Sequence, residues 1–423
     1  MSVPTPIGRR RVVVTGMGAV TPLGNDVPTF WSSLAAGRSG IRTIQAFDPG
    51  RLTSRMAGEV RDFDAGGVLD RKEQRRNDRY TQFALVATRE AMLAAGLPER
   101  LEGSLAEETG AIIGSGLGGS NTFFEQTRAY VERGPDRLSP FFVPMVIANL
   151  ASGQVAISTG ALGPNFATVS ACATSGHAIG EATEIILRGD AEVMFAGGSE
   201  APVVEGLTGA FAAMRALSTR NDDPAAASRP FDRGRDGFVI AEGAATLILE
   251  ELAHARARGA KILAEVCGYG ATADATHITL PAPGGAGALR AARRALTKAG
   301  IEPSEVDHIN AHATSTPEGD GAELACFRSL LGDHGPMVSV TATKGAIGHT
   351  LGAAGAIGAV AAIQTMREGL VPPTLNLVEP DEAVGELDCT PLVARRRDVR
   401  VAIVNAFGFG GQNTALVLRR WDA

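Results

Sequence analysis

The segment Phe166-Ala-Thr-Val-Ser-Ala-Cys-Ala-Thr-Ser-Gly-His-Ala-Ile-Gly180 contains the pattern on which the chain is built. A short apolar run, Phe166–Ala171, is followed within a few residues by a stretch with the composition of a helix, residues 175–188. Similar runs recur along the chain, each followed by a Gly-rich turn or an amphipathic helix. Consecutive apolar residues of this kind are typical of strands buried on both faces. Their alternation with helices predicts an α/β fold in layers.

Working outward from this segment, we predict the remaining elements and two similar halves, residues 1–258 and 259–423. Further strands are expected over residues 11–16, 111–119, 193–198, 245–250, 262–268, 306–311, 337–341 and 401–406. Further helices are expected over residues 78–95, 286–299, 319–331 and 352–368. A Gly-rich segment follows a strand in each half, at 195–199 and 407–411. The polar stretch 216–237 predicts a long loop, and such loops are often functional.

Composition excludes several classes of protein. The chain has 423 residues, of which 44% are hydrophobic and 20% charged, as in an ordinary globular protein. A net charge of −6 argues against general nucleic-acid binding. No apolar signal-peptide region precedes the first strand-like run, and the longest apolar stretch, residues 351–363, is too short to span a bilayer. We therefore expect a cytoplasmic protein that does not enter a membrane.

Cys172 is the first candidate functional residue. The chain has four cysteines, and their spacing provides neither a CxxC motif nor a zinc pairing, so no metal is expected. Cys172 lies between the strand-like run and the helix, where a side chain is presented as on a nucleophile elbow. A helix N-terminus at this point would lower the pKa of the thiol. The alternative is that Cys172 is simply a small buried apolar residue.

Two further segments place polar side chains at the ends of apolar runs. His312 follows the run at 306–311 and precedes a turn rich in Thr, Ser and Pro. Lys344 and His349 lie in an otherwise small and apolar stretch, where burial is costly unless the groups are paired. The alternatives are a hydrogen-bonded histidine that caps a strand and a half-exposed lysine at the start of a helix.

The segment Asn405-Ala-Phe-Gly-Phe-Gly-Gly-Gln-Asn413 follows the last apolar run. Its glycines allow backbone N–H groups to approach a ligand closely, as an oxyanion hole requires. It is a poor phosphate loop, because it has neither a Lys-Ser/Thr pair nor a complete GxGxxG fingerprint. One cysteine, two histidines, a lysine and an N–H loop together predict thiol-based acyl transfer.

These motifs, in this order, resemble those of an elongating β-ketoacyl-acyl carrier protein synthase of the thiolase superfamily. The resemblance covers almost the whole chain and depends on four segments: Ser170-Ala-Cys-Ala-Thr-Ser-Gly, Asn310-Ala-His-Ala-Thr-Ser-Thr-Pro, Lys344-Gly-Ala-Ile-Gly-His and Asn405-Ala-Phe-Gly-Phe-Gly-Gly. It implies a five-layer αβαβα fold, and either a homodimer or a heterodimer with a paralogous chain-length subunit. It implies no cofactor, because the substrates are carried on the phosphopantetheine of an acyl carrier protein.

The resemblance also implies a role for each residue that matches the motifs. Cys172 would take the acyl chain, and the backbone N–H groups of Cys172 and Phe409 would form the oxyanion hole. His312 and His349 would promote malonyl decarboxylation, and Lys344 would support His312. Phe409 would also gate the acyl pocket. The remaining expected contacts are Thr314 and Thr316 for the pantetheine arm, Leu117 and Phe211 for the acyl chain, and Lys72, Arg75, Arg76, Arg137 and Arg215 for carrier-protein docking.

The sequence departs from the family pattern at three positions and leaves alternatives open. Ala313 replaces a usual Gly and would add a methyl group beside the pantetheine site, Gly358 replaces a usual Glu, and Gln412 replaces a common Thr. Fatty-acid elongation and type II polyketide elongation both remain open. A non-catalytic partner would lack the nucleophile, and a degradative thiolase would need a second catalytic cysteine that the 407–411 loop does not contain.

Overall fold

In the computed structural model, the first strand is Val12–Val20, and all nine of its residues are buried. The structure describes residues 10–422. The segment from which the absence of a signal peptide was predicted therefore lies largely outside the described residues.

The described residues form fourteen α-helices and thirteen strands, numbered in chain order. The helices are α1 (Val27–Ala35), α2 (Arg71–Gln74), α3 (Arg79–Ala95), α4 (Gly103–Glu107), α5 (Ser120–Arg133), α6 (Phe142–Val146), α7 (Leu150–Thr159), α8 (Thr174–Arg188), α9 (Glu205–Ala213), α10 (Leu252–Ala257), α11 (Ala286–Ala299), α12 (Pro317–Leu331), α13 (Lys344–Ile347) and α14 (Ala354–Glu368). The strands are β1 (Val12–Val20), β2 (Ile41–Thr43), β3 (Met56–Gly58), β4 (Thr109–Gly114), β5 (Val193–Glu200), β6 (Gly243–Glu251), β7 (Ala264–Ala273), β8 (His308–Asn310), β9 (Ser339–Thr341), β10 (Leu370–Val371), β11 (Arg395–Arg396), β12 (Val401–Gly408) and β13 (Gln412–Arg420).

Nine strands form one sheet that repeats the same pattern on its two sides. Its order is β4-β5-β6-β1-β7-β13-β12-β8-β9. On the first side β4 is parallel to β5, and β5, β6 and β1 are successively antiparallel. On the second side β8 is parallel to β12, and β12, β13 and β7 are successively antiparallel. The ninth strand, β9, is parallel to β8 at the outer edge of the second side and has no counterpart among the described strands of the first. The sides meet where β1 pairs with β7, so the predicted two similar halves are present in the sheet.

Helices cover both faces of each side of this sheet. α3 and α7 pack on the outer face of the first side, α11 and α12 cover the second, and α8 and α14 lie between the two sides. The layers therefore run α-β-α-β-α, which confirms the predicted five-layer fold. The central helix α14 is buried from Ala354 to Met366. It is rich in Ala and Gly because sheet lies on both of its sides; a Cβ on Gly358 would be 2.7 Å from Asn310 Oδ1.

Several predicted elements need correction. The predicted strand Phe166–Ala171 is wrong: the one parallel bridge here joins Ala111 to Asn165, just before the segment, and the side chains at 166 and 169 are exposed. It lies at the edge of the sheet, and no other described strand pairs with its outer side. The predicted Gly-rich segment after a strand, residues 195–199, lies inside β5. β13 was not predicted, because its polar start hides the apolar run that follows.

Other expectations are confirmed. The long loop 216–237 holds no helix or strand beyond the short 3-10 turn Pro224–Ala226. Within residues 10–422, no helix has the length and apolar character needed to cross a membrane.

Candidate active site

Cys172 lies at the N-terminus of a central helix, as predicted. It is in a single 3-10 turn, Ala171–Ala173, directly before α8. Ala171 has a φ of 49°, a left-handed conformation that is costly for residues other than glycine. This sharp bend places the Cys172 side chain in a cavity of about 500 Å³.

The thiol of Cys172 is held in its neutral form. Burial raises the pKa of Cys172 to about 12, although the charge of Lys344 and the backbone N–H groups of Phe409 and Cys172 itself act in the opposite direction. The prediction that a helix N-terminus lowers this pKa is therefore wrong in its net direction, because the loss of hydration outweighs the favourable groups. The same two N–H groups that stabilise the sulfur are those expected to form an oxyanion hole.

His312 and His349 lie together in the same cavity. Their ring centroids are 5.3 Å apart and the rings are nearly perpendicular, at 83°. Burial, and then the charge of Lys344, hold the pKa of each imidazole well below its usual value. Both rings are therefore neutral near pH 7, so each has one nitrogen that donates and one that accepts.

The hydrogen bonds around the two rings differ. Leu351 N–H donates to His349 Nδ1 at 3.3 Å, which leaves the proton of that ring on Nε2. The Nδ1 atom of His312 is buried and has no hydrogen-bond partner among the described residues. Phe238 and Phe407 pack on the outer sides of the pair, with ring centroids 5.4 Å from His349 and 5.3 Å from His312.

Lys344 lies behind the histidines rather than in the cavity wall. It begins α13 and is 6% exposed, so the half-exposed alternative is wrong. Burial lowers its pKa, while the carboxylate of Glu323 acts to raise it. Glu323 in turn accepts hydrogen bonds from the backbone N–H groups of His312 (2.8 Å) and Ala313 (2.7 Å). One buried cation and one buried carboxylate thus flank the segment that carries His312.

The predicted substrate contacts also reach the cavity. Its wall includes Thr314, Thr316, Leu117, Phe211 and Phe409. The hydroxyls of Thr314 and Thr316 are 3.1 Å apart, so they form one polar patch on the wall. Phe409 lies in the tight turn between β12 and β13, which glycines with positive φ at 410 and 411 make possible.

The predicted docking residues separate into two groups. Arg215 is exposed and lines the cavity. The others are exposed but do not line it: Lys72, Arg75 and Arg76 lie in or directly after α2, and Arg137 ends a 3-10 turn. The guanidinium of Arg76 packs over the ring of Phe141 at 4.6 Å from its centroid.

The three departures from the family pattern lie outside the cavity wall. Ala313 is buried in the apolar core of the second half, so its methyl group does not narrow the cavity. Gly358 is a point of close approach between α14 and Asn310, which leaves no room for a larger side chain. Gln412 packs against Gly410 in the turn that carries Phe409.

Four residues near the cavity were not predicted from the sequence: the buried Glu200, Glu323 and Phe238, and the half-buried Phe407. A signal existed for Glu200, which directly follows the run Phe195-Ala-Gly-Gly-Ser199, because strand ends are where sites form in α/β folds. Glu323 gave no such signal, since its helix reads as an ordinary amphipathic segment. Within residues 10–422, no group of three or more His, Cys, Asp or Glu side chains could hold a metal ion.

Chemically, the cavity combines a thiol, two neutral imidazoles and two backbone N–H groups. A thiol beside paired N–H donors suits attack on a thioester carbonyl, whose oxygen becomes negative in the tetrahedral intermediate. Neutral imidazoles with a free N–H can stabilise a second developing oxyanion, such as an enolate.

The sequence matches two family models that together cover most of the chain. Residues 9–255 match the β-ketoacyl synthase N-terminal domain, and residues 263–378 match the C-terminal domain. The 3-oxoacyl-[acyl-carrier-protein] synthase 2 of a Synechocystis species is 48% identical over 98% of this chain and 99% of its own length. The enzyme of the same name from Staphylococcus aureus is 47% identical over the same shares.

Solved structures agree in fold. A β-ketoacyl synthase from Burkholderia phymatum superposes with a TM-score of 0.91 at 35% identity, over 98% of this chain and all of that one. A type II polyketide ketosynthase, solved with its acyl-carrier protein and bound to the hexaketide, gives 0.89 at 34% identity with the same coverage. The ishigamide ketosynthase/chain length factor gives 0.90 at 33% identity, again over 98% and 100%. Because the chain matches both domains of the family model and is 47–48% identical to curated relatives over nearly its full length, it belongs to the β-ketoacyl synthase family.

Proposed function

We propose that the protein is a β-ketoacyl-acyl carrier protein synthase that elongates an acyl chain by decarboxylative Claisen condensation. The observation that carries this proposal is the convergence of Cys172, His312 and His349 on one cavity of about 500 Å³. Curated relatives that are 47–48% identical over 98% of this chain carry the name of this activity.

In the first half-reaction, the sulfur of Cys172 attacks the carbonyl carbon of an acyl thioester on a carrier protein. The carbonyl oxygen becomes negative and accepts hydrogen bonds from the N–H groups of Cys172 and Phe409. The C–S bond to the carrier then breaks, the acyl group remains on Cys172, and the carrier leaves as its free thiol. The proton of the neutral Cys172 thiol must leave as the C–S bond forms, and the Lys344 charge favours that step.

In the second half-reaction, malonyl-carrier protein loses CO₂. The C–C bond to the carboxylate breaks, and its electron pair forms an enolate whose oxygen is stabilised by hydrogen bonds from His312 and His349. The enolate carbon attacks the acyl carbonyl on Cys172, and the Cys172 thiolate leaves and is reprotonated. Neutral rings suit this role because each can donate a hydrogen bond to the enolate oxygen. A charged ring would instead attract the substrate carboxylate that must leave as CO₂.

The cavity wall suits substrates presented on a phosphopantetheine arm. The hydroxyls of Thr314 and Thr316 provide polar contacts for the amide-rich arm, and Leu117 and Phe211 provide apolar contacts for the acyl chain. Phe409 is on the glycine-containing turn between β12 and β13, close to Cys172. From this position its side chain controls entry to the acyl pocket. No cofactor other than this carrier-bound arm is needed for the chemistry.

We propose that the exposed cations Lys72, Arg75, Arg76, Arg137 and Arg215 dock an acidic acyl carrier protein. Cationic patches steer acidic partners even when the net charge of the protein is negative, as here. Arg215 lies at the cavity, so it would meet the carrier close to the phosphopantetheine arm.

We also propose that the protein is cytoplasmic. We place the boundary between its two halves between residues 258 and 259.

We also propose that the chain works as a dimer, with a second copy or with a paralogous chain-length subunit. The segment that contains Phe166 and Val169 lies along the β4 edge of the sheet and exposes both apolar side chains, a surface that a partner normally covers. Ile157 and Leu162 are exposed nearby in the sequence.

The reaction could serve fatty-acid or type II polyketide elongation, and one observation favours each. The curated relatives at 47–48% identity are 3-oxoacyl-[acyl-carrier-protein] synthases, whereas two solved relatives are polyketide ketosynthases. A role as a non-catalytic partner is disfavoured because Cys172 is present and faces the cavity.

The test is turnover by the purified chain alone, with acyl- and malonyl-carrier proteins of both pathways. We expect a 3-oxoacyl-carrier product, detected by mass spectrometry, and none with Cys172→Ala. If the chain alone is inactive but gains activity with a Cys-lacking paralogue, the heterodimer alternative holds. Product formation by Cys172→Ala would contradict the proposal.

A further inference from the structure

The turn that carries Cys172 has a counterpart in the second half. The 3-10 turn Leu351–Ala353 precedes the central helix α14, just as the turn with Cys172 precedes α8. Each turn begins with a non-glycine residue in the left-handed region, Ala171 at 49° and Leu351 at 45°. The residue that corresponds to Cys172 is Gly352, and its N–H group points at a protein carboxylate instead of a cavity.

That carboxylate is Glu200, the last residue of β5, which is fully buried. Its Oε1 accepts from Ser115 Oγ (2.8 Å) and from Leu117 N–H (3.0 Å). Its Oε2 accepts from Gly116 N–H (2.8 Å) and from Gly352 N–H (3.0 Å). Among the described residues, the carboxylate faces four hydrogen-bond donors and no acceptor. Both of its oxygens must therefore accept hydrogen bonds, which the NH₂ group of an amide side chain cannot do.

The four bonds join two walls of the cavity. Gly116 and Leu117 belong to the wall that holds the acyl chain, and Leu351 adjoins Gly352 in the turn that follows His349. The two segments are in direct contact: a Cβ on Gly352 would lie 2.5 Å from Glu200 Oε2 and 2.7 Å from Gly116 N. The carboxylate therefore fixes the spacing between the acyl wall and the histidine turn.

The same turn sets the orientation of His349. Leu351 N–H donates to His349 Nδ1, and Leu351 itself has the left-handed conformation that begins this turn. The bond from Gly352 to Glu200 holds the next peptide in place, so it supports that strained conformation. If it is lost, the turn can relax and His349 can rotate away from the cavity.

We propose that Glu200 is a positioning residue that couples acyl-chain selection to malonyl decarboxylation, by fixing the Ser115–Leu117 wall against the turn that orients His349. The inference rests on the proposed condensing activity and deepens it. It predicts that one substitution, at a residue that does not itself line the cavity, alters both acyl-chain selection and malonyl decarboxylation.

The experiment compares Glu200→Gln with Glu90→Gln in the full-length enzyme. Glu90 is a matched control, because it also accepts two backbone N–H groups, from Ala19 (2.8 Å) and Val27 (2.7 Å), but it does not line the cavity. Acylation of Cys172 is measured with saturated acyl-carrier proteins of increasing chain length, with kcat and KM determined separately. CO₂ release from malonyl-carrier protein and the melting temperature are measured on the same samples.

We expect Glu200→Gln to slow CO₂ release about tenfold or more, because an amide NH₂ would face buried N–H donors. Its order of preference among chain lengths should change, whereas Glu90→Gln should lower only the melting temperature. Glu200→Asp, which keeps both acceptor oxygens, should restore part of the CO₂ release. Ser115→Ala removes one of the four donors and should shift chain-length preference even if Glu200→Gln does not fold.

The inference is overturned if Glu200→Gln, or Ser115→Ala should the former not fold, keeps the wild-type chain-length profile and CO₂ release and changes only stability. Failure of wild-type enzyme to condense at all, alone and with a paralogue, would instead count against the proposed function. The wild-type arm thus separates the two failures.

Discussion

The turns at Cys172 and Gly352 have similar backbones but different surroundings. At Cys172 the space beyond the turn is open, so a thiol reaches the cavity. At Gly352 the corresponding space is filled by the carboxylate of Glu200, which accepts the turn's N–H group. The difference shows how one repeated unit can supply a reactive group in one half and a fixed framework in the other.

Burial shifts the pKa values in the two halves in opposite directions, but in both it leaves the reactive groups uncharged. In the first half, burial raises the pKa of the Cys172 thiol, and in the second, burial lowers the pKa of His312 and His349. Both effects favour uncharged groups, because an apolar cavity stabilises neutral forms. The other ionisable groups of this region are Lys344 and Glu323, which flank the histidine segment, and Glu200, which accepts a hydrogen bond from the N–H group of the second turn. Burial lowers the pKa of Lys344 and raises the pKa of both carboxyl groups.

The largest expected effect would come from removing an imidazole. His312→Ala and His349→Ala should each reduce CO₂ release from malonyl-carrier protein about 100-fold or more, the usual contribution of a positioned acid–base group. Acylation of Cys172 should largely persist, because it uses groups of the other half and the N–H pair. Radiolabelled malonyl and acyl substrates measure the two steps separately. Unchanged decarboxylation in both variants would refute the role of the histidines.

A second substitution tests the contrast between the two turns directly. Gly352→Ala should destabilise the fold by about 1–3 kcal/mol, because its Cβ would meet Glu200 and Gly116 in a filled site. Cys172→Ala leaves that space open and should change stability by less than about 1 kcal/mol. Urea unfolding measures both values. Equal stability of the two variants would mean that the second turn is not filled as described.

The smallest expected effect concerns the charge behind the cavity. The pKa of Cys172 lies above the range pH 6–9, so its alkylation by iodoacetamide should speed up about tenfold per pH unit across that range. Lys344→Met should slow alkylation further, by about tenfold or less, because removing the cation raises the thiol pKa again.

Peptide mass spectrometry at Cys172 follows this reaction, and Lys261→Met, on an exposed residue, is the matched control. A rate that levels off near neutral pH would show that the thiolate predominates there, and would contradict a neutral Cys172 thiol.

Much of the architecture could be predicted from the sequence, because buried strands and central helices leave long apolar runs. The run at 401–406 and the small-residue helix after 352 both correspond to observed elements. The segment Phe166–Ala171 has the same composition but lies at an open edge, and composition alone does not specify whether a neighbouring strand is present. β13 was missed for the opposite reason, since its first residues are polar.

The site could be predicted in part. The motifs at Cys172, His312, His349 and Phe409 identified groups that the structure brings to one cavity. The net direction of the Cys172 pKa shift could not be predicted, because it depends on the depth of burial, which no local pattern encodes. Glu200 was missed because its hydrogen-bond donors are at least 83 residues away in sequence, and Glu323 was missed because its helix has an ordinary amphipathic pattern.

The central claim is that the first half supplies the nucleophile and the second half supplies the decarboxylating groups. Its most direct test is to map the acyl adduct by peptide mass spectrometry after incubation with acyl-carrier protein. The adduct should lie on Cys172 in the wild type and in His312→Ala, and should be absent from Cys172→Ala. An adduct on Cys267, Cys326 or Cys389, or one that persists in Cys172→Ala, would contradict the account.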